Sequence, residues 1–220
     1  MPRNYQLKWE PTYYATTFAA DESPLSEGGA WVTGLPDHTS VVTSGGSAFG
    51  TMDNHANGPF NDSAAFRAGT WSGNHYIQGV VRKLAPATYE EIELLLCCKL
   101  INGSSQFRCY EITIAFDGSY SGIVRWDGGP MTDFDNGFTL ILTGPGGYTV
   151  NDGDTIRAEL VGSVITVKIN GTTLFTHDLS TGLGSGTVFS DGAPGIGFYR
   201  SQSSANNSQF GWASVVLGSL

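Results

Sequence analysis

Between Thr155 and His177 apolar and polar residues alternate through the runs TIRAEL, VITVKI and TTLFTH, which are separated by VGS and NG. A period of two predicts strands with one face buried, and Asn-Gly between two such runs is the strongest local signal for a tight hairpin. A two-residue loop at Asn170-Gly171 sets Val167 opposite Leu174 and Ile165 opposite Thr176. A second tight turn at Gly162-Ser163 sets Ala158 opposite Val167 and Leu160 opposite Ile165. Both turns then agree on the buried face: Ala158, Leu160, Ile165, Val167, Ile169 and Leu174. Arg157, Glu159, Thr166, Lys168 and Phe175 fall on the other.

A second hairpin is read from Glu91 to Leu100 and from Phe107 to Phe116, with a short loop around Asn102-Gly103-Ser104. Matching apolar stripes puts Ile92, Leu94 and Leu96 opposite Ile114, Ile112 and Tyr110. That register sends Cys98 to the apolar side. It places Cys97 across from Cys109 on the other side, among Glu91, Glu93, Glu111 and Thr113, so Cys97 and Cys109 are expected as cross-strand neighbours and as the one pair that could be bridged. Further strands are expected over 30–33, 40–43, 76–83, 122–126, 138–142, 195–199 and 210–217. More than ten short strands with turn residues between them, and no helical period, predict an all-β sandwich of two antiparallel sheets.

No repeat, low-complexity tract or linker divides the 220 residues, so one domain is expected over 1–220, with 1–12 as an N-terminal arm or edge strand. Twenty acidic against eleven basic residues leave a net charge of −9 and no basic stripe, which argues against a nucleic-acid partner. The first residues hold no apolar signal region and no apolar run reaches membrane length, so membrane insertion is not expected. The expectation is synthesis in the cytoplasm without a signal peptide. Three cysteines cannot make a disulfide framework, and their spacing is not that of a zinc site.

The order of the segments FAADESPLSEGGAW, CYEITIAFDGSYSGIVRWDGGPMTDF, GDTIRAELVGSVITVKINGTTLF and GAPGIGFY resembles the concanavalin A-like (laminin G-like) jelly-roll superfamily from about residue 18 to residue 216, and within it little-characterised bacterial and phage modules. The resemblance implies two antiparallel sheets, one concave, with ligands on the concave face or along its rim. It does not fix an activity, because the scaffold carries lectins, binding modules, adhesins, virion proteins, glycosidases and lyases alike.

Glu91 and Glu93 match the first two places of the catalytic strand of laminarinase-type glucanases, in which a second Glu follows four or five residues after the first. Those positions here are Leu95 and Leu96. A retaining glycosidase needs two carboxyl groups about 5–5.5 Å apart, so the proton donor is missing along the strand, and alternation reads Glu91 and Glu93 as solvent-side residues. Arg157-Ala158-Glu159-Leu160 is similar to a strand of alginate lyases, with His75 and Tyr76 as conceivable base and acid, but the rest of that pattern is absent.

Trp and Tyr beside Asp or His suit the apolar faces of sugar rings, which makes Trp126, Asp127, Tyr120, Trp71, His75 and Tyr76 the candidate glycan-binding residues. Calcium is the one cofactor left open. Asp133, Asp135 and Asn136 are its candidate ligands, and Asn151, Asp152 and Asp154 form a second oxygen-rich turn. The expected function is a non-catalytic binding or structural jelly roll, carbohydrate-binding or adhesive, with a glycan or cell-surface polysaccharide as partner. A phage virion surface component, such as a decoration or fibre protein packed against identical subunits or other virion proteins, fits the same features. A polysaccharide-cleaving enzyme on this fold is the alternative.

Overall fold

The computed structural model describes residues 12–52, 62–85, 90–128, 138–182, 188–200 and 207–220. In chain order the strands are β1 (Tyr13–Thr16), β2 (Trp31–Val32), β3 (Val41–Ser44), β4 (Ser47–Gly50), β5 (Ser63–Arg67), β6 (His75–Lys83), β7 (Glu91–Ile101), β8 (Gln106–Ala115), β9 (Ser121–Asp127), β10 (Phe138–Thr143), β11 (Thr155–Val161), β12 (Val164–Ile169), β13 (Thr172–Asp178), β14 (Ala193–Tyr199) and β15 (Phe210–Ser219). They form two antiparallel sheets. The first has the order β13-β12-β11-β6-β15-β4-β3, and the second the order β10-β9-β8-β7-β14-β5-β2. β1 lies on the edge of β15 that β4 leaves open: β4 pairs at Trp212, and Tyr13–Thr16 pair with 215–218. The residues that directly follow the expected N-terminal arm therefore cap their own sheet; of the arm itself, residues 1–11 lie outside the described residues. Among the described residues no helix is long and apolar enough to cross a membrane.

The core fills the space between the sheets. Ile92, Leu94 and Leu96 of β7 and Ile112 and Ile114 of β8 join one apolar cluster with Ile77 and Val81 of β6, Ile156, Ala158 and Leu160 of β11, and Ile165 and Val167 of β12. Each such side chain, once buried, contributes ~2 kcal/mol of hydrophobic free energy, which the ordering entropy of the chain opposes. The expected pairs Ile92–Ile114, Leu94–Ile112 and Leu96–Tyr110 are present, as are Ala158–Val167 and Leu160–Ile165.

Two bulges correct the sequence reading. At the Asn170-Gly171 turn both residues have positive φ, as a tight hairpin requires, and Ile169 and Lys168 pair with Thr172 and Thr173. The register then slips by one, so Val167 faces Phe175 instead of Leu174, and Ile165 faces His177 instead of Thr176. Phe175 is consequently buried and Leu174 only half-buried, the reverse of strict alternation. In β7 the pairing jumps from Leu96–Tyr110 to Lys99–Arg108, so that Cys97 and Cys98 together stand opposite the single Cys109. Cys97 takes a positive φ of 58° and turns away from Cys109: its Sγ donates to the carbonyl of Phe189 (3.4 Å), and its N–H reaches His75. The sulfur beside Cys109 is that of Cys98. The expected Cys97–Cys109 pairing is thereby overturned, and all three cysteines are free and buried.

Candidate functional site

Alternation along β7 and β8 puts Glu91, Glu93 and Leu95, and Phe107, Cys109, Glu111 and Thr113, on the face of the second sheet turned away from the first. That face was expected to meet solvent at Glu91 and Glu93. Both are buried, Glu93 to 1% exposure, together with Glu111 and with Asp62 just before β5. The cross-strand neighbours of Glu93 are small: Gly197 and then Ala64 on one side, Thr113 and then Gly122 on the other. They make a trough in which carboxyl groups collect. A Cβ at Gly197 would overlap Glu93 Oε2, so glycine is what gives that carboxylate its place. Oxygens of Asp62, Glu93 and Glu111 lie within 4.8 Å of one another.

Two of these acids are held by donors. The Trp126 indole donates to Glu111 Oε2 at 2.6 Å, and the Tyr120 hydroxyl donates to Glu91 Oε1. Among the described residues Glu93 has no hydrogen-bond partner on either oxygen, and Asp62 has none on Oδ1. Burial, and then the neighbouring acids Glu111, Asp62 and Glu91, push Glu93 well above the usual carboxylate range; burial followed by Glu111 and Glu91 does the same to Asp62. Burying charge without a partner costs several kcal/mol per group, so this face is chemically loaded.

Beside the trough lies an apolar ledge. Val124 is the direct neighbour of Glu111 on β9 and of Leu140 on edge strand β10, and Phe138 packs on Trp126 with ring centroids 5.5 Å apart. Leu140 is 50% exposed, while Val124 and Phe138 are half-buried. Behind Trp126, His38 stands edge-on to both Trp126 (4.8 Å) and Phe107 (5.1 Å) and donates through Nδ1 to the Pro36 carbonyl (2.8 Å).

The structure divides the six candidate glycan residues. Trp126 and Tyr120 come together on this face through Glu111 and Glu91. Asp127, exposed at the end of β9, is ion-paired with Arg125 (2.7 Å). Tyr76 lies on the first sheet with the Arg157 guanidinium stacked 3.7 Å over its ring, and Arg157 and Lys168 both pair with Glu159. Trp71 is buried in the segment before β6. His75, read as a loop-edge ligand, is fully buried between the sheets: Nδ1 meets the Ser72 carbonyl at 2.8 Å, and Nε2 accepts the Cys97 N–H at 3.2 Å. Both ring nitrogens are occupied by backbone, so His75 is a packing residue of the core.

Of the calcium candidates, Asp133, Asp135 and Asn136 lie outside the described residues. In the other turn Asp154 accepts from Asn151 N (2.7 Å) and Asn170 Nδ2 (2.8 Å), and Asp152 from Lys83 N (2.7 Å), so these oxygens fasten the turn to β6 and β12. Asp62 and Glu111 were not singled out from the sequence as site residues. The signal that marks Glu111 is its place beside the alternating Glu91 and Glu93 of the paired strand, with Gly at alternate places, 195 and 197, of a third; Asp62 carries no such signal.

No protein-family model matches the sequence, and no curated protein sequence matches it. Solved structures do match by fold. A carbohydrate-binding module, CBM66 of Bacillus subtilis, superposes with a TM-score of 0.53 at 11% identity, covering 89% of this chain and 95% of that one. β-Agarase B of Zobellia galactanivorans gives 0.55 at 9%, covering 95% and 94%, and the carbohydrate recognition domain of Emp47p gives 0.51 at 14%, covering 88% and 90%. The chain has the concanavalin A-like jelly-roll fold.

Proposed function

We propose that the chain binds a neutral glycan on the outward face of its second sheet and does not cleave it. The observation that carries this reading is the 2.6 Å hydrogen bond from Trp126 to Glu111, which joins the apolar ledge of Val124, Phe138 and Leu140 to the carboxyl trough. A sugar ring has an apolar C–H face that suits such a ledge and hydroxyl donors that suit carboxyl acceptors. The acidity of the chain disfavours a polyanionic glycan. Two of the matched structures are a carbohydrate-binding module and a carbohydrate recognition domain, which supports the same reading. Single sites of this kind are weak, and display of many copies on a virion or cell surface is the arrangement that would make them effective.

Binding without cleavage is favoured because the strand that carries Glu91 and Glu93 has Leu95 in the third place and because Glu111 is already engaged by Trp126. One observation favours the second reading, a glycan-cleaving enzyme: Glu111 is the direct cross-strand neighbour of Leu95, so a carboxyl group stands one strand away from the place where the glucanase pattern needs it.

A glycan array followed by titration calorimetry tests the proposal. Binding to a neutral glycan is expected, lost in Leu140→Asp, whose exposed site leaves the core intact, and lost in Trp126→Ala. Reducing-sugar release from the bound glycan that disappears in Glu111→Gln would establish the enzyme instead. An array without any signal would remove both readings.

A further inference from the structure

The geometry points to a divalent cation site, sized for calcium, formed by Asp62, Glu93 and Glu111 beneath the outward face of the second sheet. The oxygens of these three residues lie within 4.8 Å of one another, and all three side chains are buried. A cluster of acids alone would say little. The additional observation is that Glu93, at 1% exposure, has no hydrogen-bond partner for either oxygen among the described residues, and that Asp62 Oδ1 has none there.

Four buried acids packed together must be neutralised by protons or by a cation. Protons leave the geometry unexplained, because a protonated carboxyl group is a donor that needs an acceptor within about 3 Å, and Glu93 makes no such bond. No ion pair among the described residues reaches the cluster: the recorded pairs involve Arg82, Lys99, Arg108, Arg125, Arg157 and Lys168 with Asp127, Asp152, Glu159 and Asp191. A metal satisfies the orphaned oxygens together and supplies the missing positive charge.

The donor set selects the ion. Three carboxylates without histidine or thiolate are hard ligands, which favour calcium, magnesium or manganese over zinc. Calcium–oxygen distances of roughly 2.3–2.6 Å let one ion bridge oxygens up to about 5 Å apart, whereas magnesium at about 2.0–2.1 Å reaches only about 4 Å and keeps its waters. The outer contacts are those of a prepared site. The Trp126 indole fixes one oxygen of Glu111 and leaves the other free, and the missing Cβ of Gly197 gives Glu93 room to project into the cluster. A cation held there occupies carboxylates that bond cleavage would need, which agrees with binding without catalysis. The site does not depend on a glycan being bound.

The full chain, treated with a chelator and then desalted, is titrated with calcium chloride and, in parallel, with terbium, an oxygen-seeking ion of similar size whose emission Trp126 can sensitise. Thermal unfolding is followed with and without added calcium. One ion per chain with a dissociation constant between roughly 10⁻⁶ and 10⁻⁴ M, a rise in melting temperature with calcium, and sensitised terbium emission are expected. Glu93→Gln keeps the side-chain size and is expected to fold in chelator while losing at least tenfold in calcium affinity. Asp62→Asn reports the second ligand in the same way. No calcium-dependent shift and no terbium emission from the folded chelated chain, or responses unchanged in both variants, would overturn the site.

Discussion

Glu111 stands directly across the β7–β8 pair from Leu95, in a row that continues to Gly195 and Phe66 on one side and to Val124 and Leu140 on the other. A search along one strand for the second acid of a catalytic pair cannot see this residue, because it arrives from the next strand, sixteen places later in the sequence. Once there, it links the two halves of the site: Trp126 on the apolar side and the Asp62–Glu93 pair on the acidic side.

Trp126→Phe isolates that link. The ring still packs beside His38 and Phe138, but the N–H that serves Glu111 is gone. Leaving a buried carboxyl acceptor without its donor costs about 1–3 kcal/mol, while Trp126→Ala adds a cavity and costs about 3–5 kcal/mol. Urea unfolding of both variants in chelator is the measurement. A Trp126→Phe variant as stable as the wild type, with the whole loss confined to Trp126→Ala, would show that the hydrogen bond carries none of the stability.

Gly79→Ala probes the other sheet. Gly79 lies mid-strand on β6, and the ring of Trp212, fully buried on β15, covers it so closely that a Cβ would overlap the indole. The added methyl must displace a large core side chain and is expected to cost about 1–3 kcal/mol or more, with the near-ultraviolet dichroism of Trp212 altered. The double variant Gly79→Ala/Trp212→Leu is expected to lose less than the sum of the two single changes, since the smaller side chain removes the collision.

The parts of the fold legible in the sequence were those fixed by apolar stripes. Ile92, Leu94 and Leu96 find Ile114, Ile112 and Tyr110 because a one-residue slip would turn every apolar side chain outward. The bulges at Leu174 and at Cys97–Cys98 were not legible, since a bulge adds a single residue and neither position carries the glycine that would mark it. Short β4 and β5 escaped notice because their Ala and Ser residues give little hydrophobic contrast. The acid trough was half legible. Alternation put Glu91, Glu93 and Glu111 on one face, but burial depends on Asp62, Trp126 and the glycines of β14, which come from distant segments.

The bulge in β7 fixes the thiol chemistry. Burial pushes Cys97 up to about 12 and raises Cys109 as well, and Cys97 is further tied to Phe189 by its sulfur. The thiolate is the reactive form, so at neutral pH the folded chain is expected to react slowly with a disulfide reagent such as Ellman's, and to show three fast thiols in guanidinium. Diamide oxidation of the folded chain is expected to join Cys98 to Cys109 if it joins any pair. Peptide mapping that found Cys97 bonded to Cys109 would refute the bulge.

His75 gives the chain a pH dependence of known sign. Burial lowers its pKa below the ordinary value, although the Ser72 carbonyl at Nδ1 acts in the opposite sense, and the neutral ring is what lets Nε2 accept from Cys97 N–H. The folded pKa lies below the unfolded one, so the folded chain binds fewer protons. The stability associated with the neutral ring is therefore complete above the unfolded value of about 6.5 and is lost as pH falls toward the folded value, by at most ~1.4 kcal/mol per pH unit. The buried acids also titrate, so the informative quantity is the difference in unfolding free energy between wild type and His75→Gln, in which all other groups are shared. That difference is expected to be largest near pH 7.5 and to shrink between pH 6.5 and 5. A difference that stayed constant or grew with acid would mean that His75 is charged in the folded chain and that its bond from Cys97 is absent.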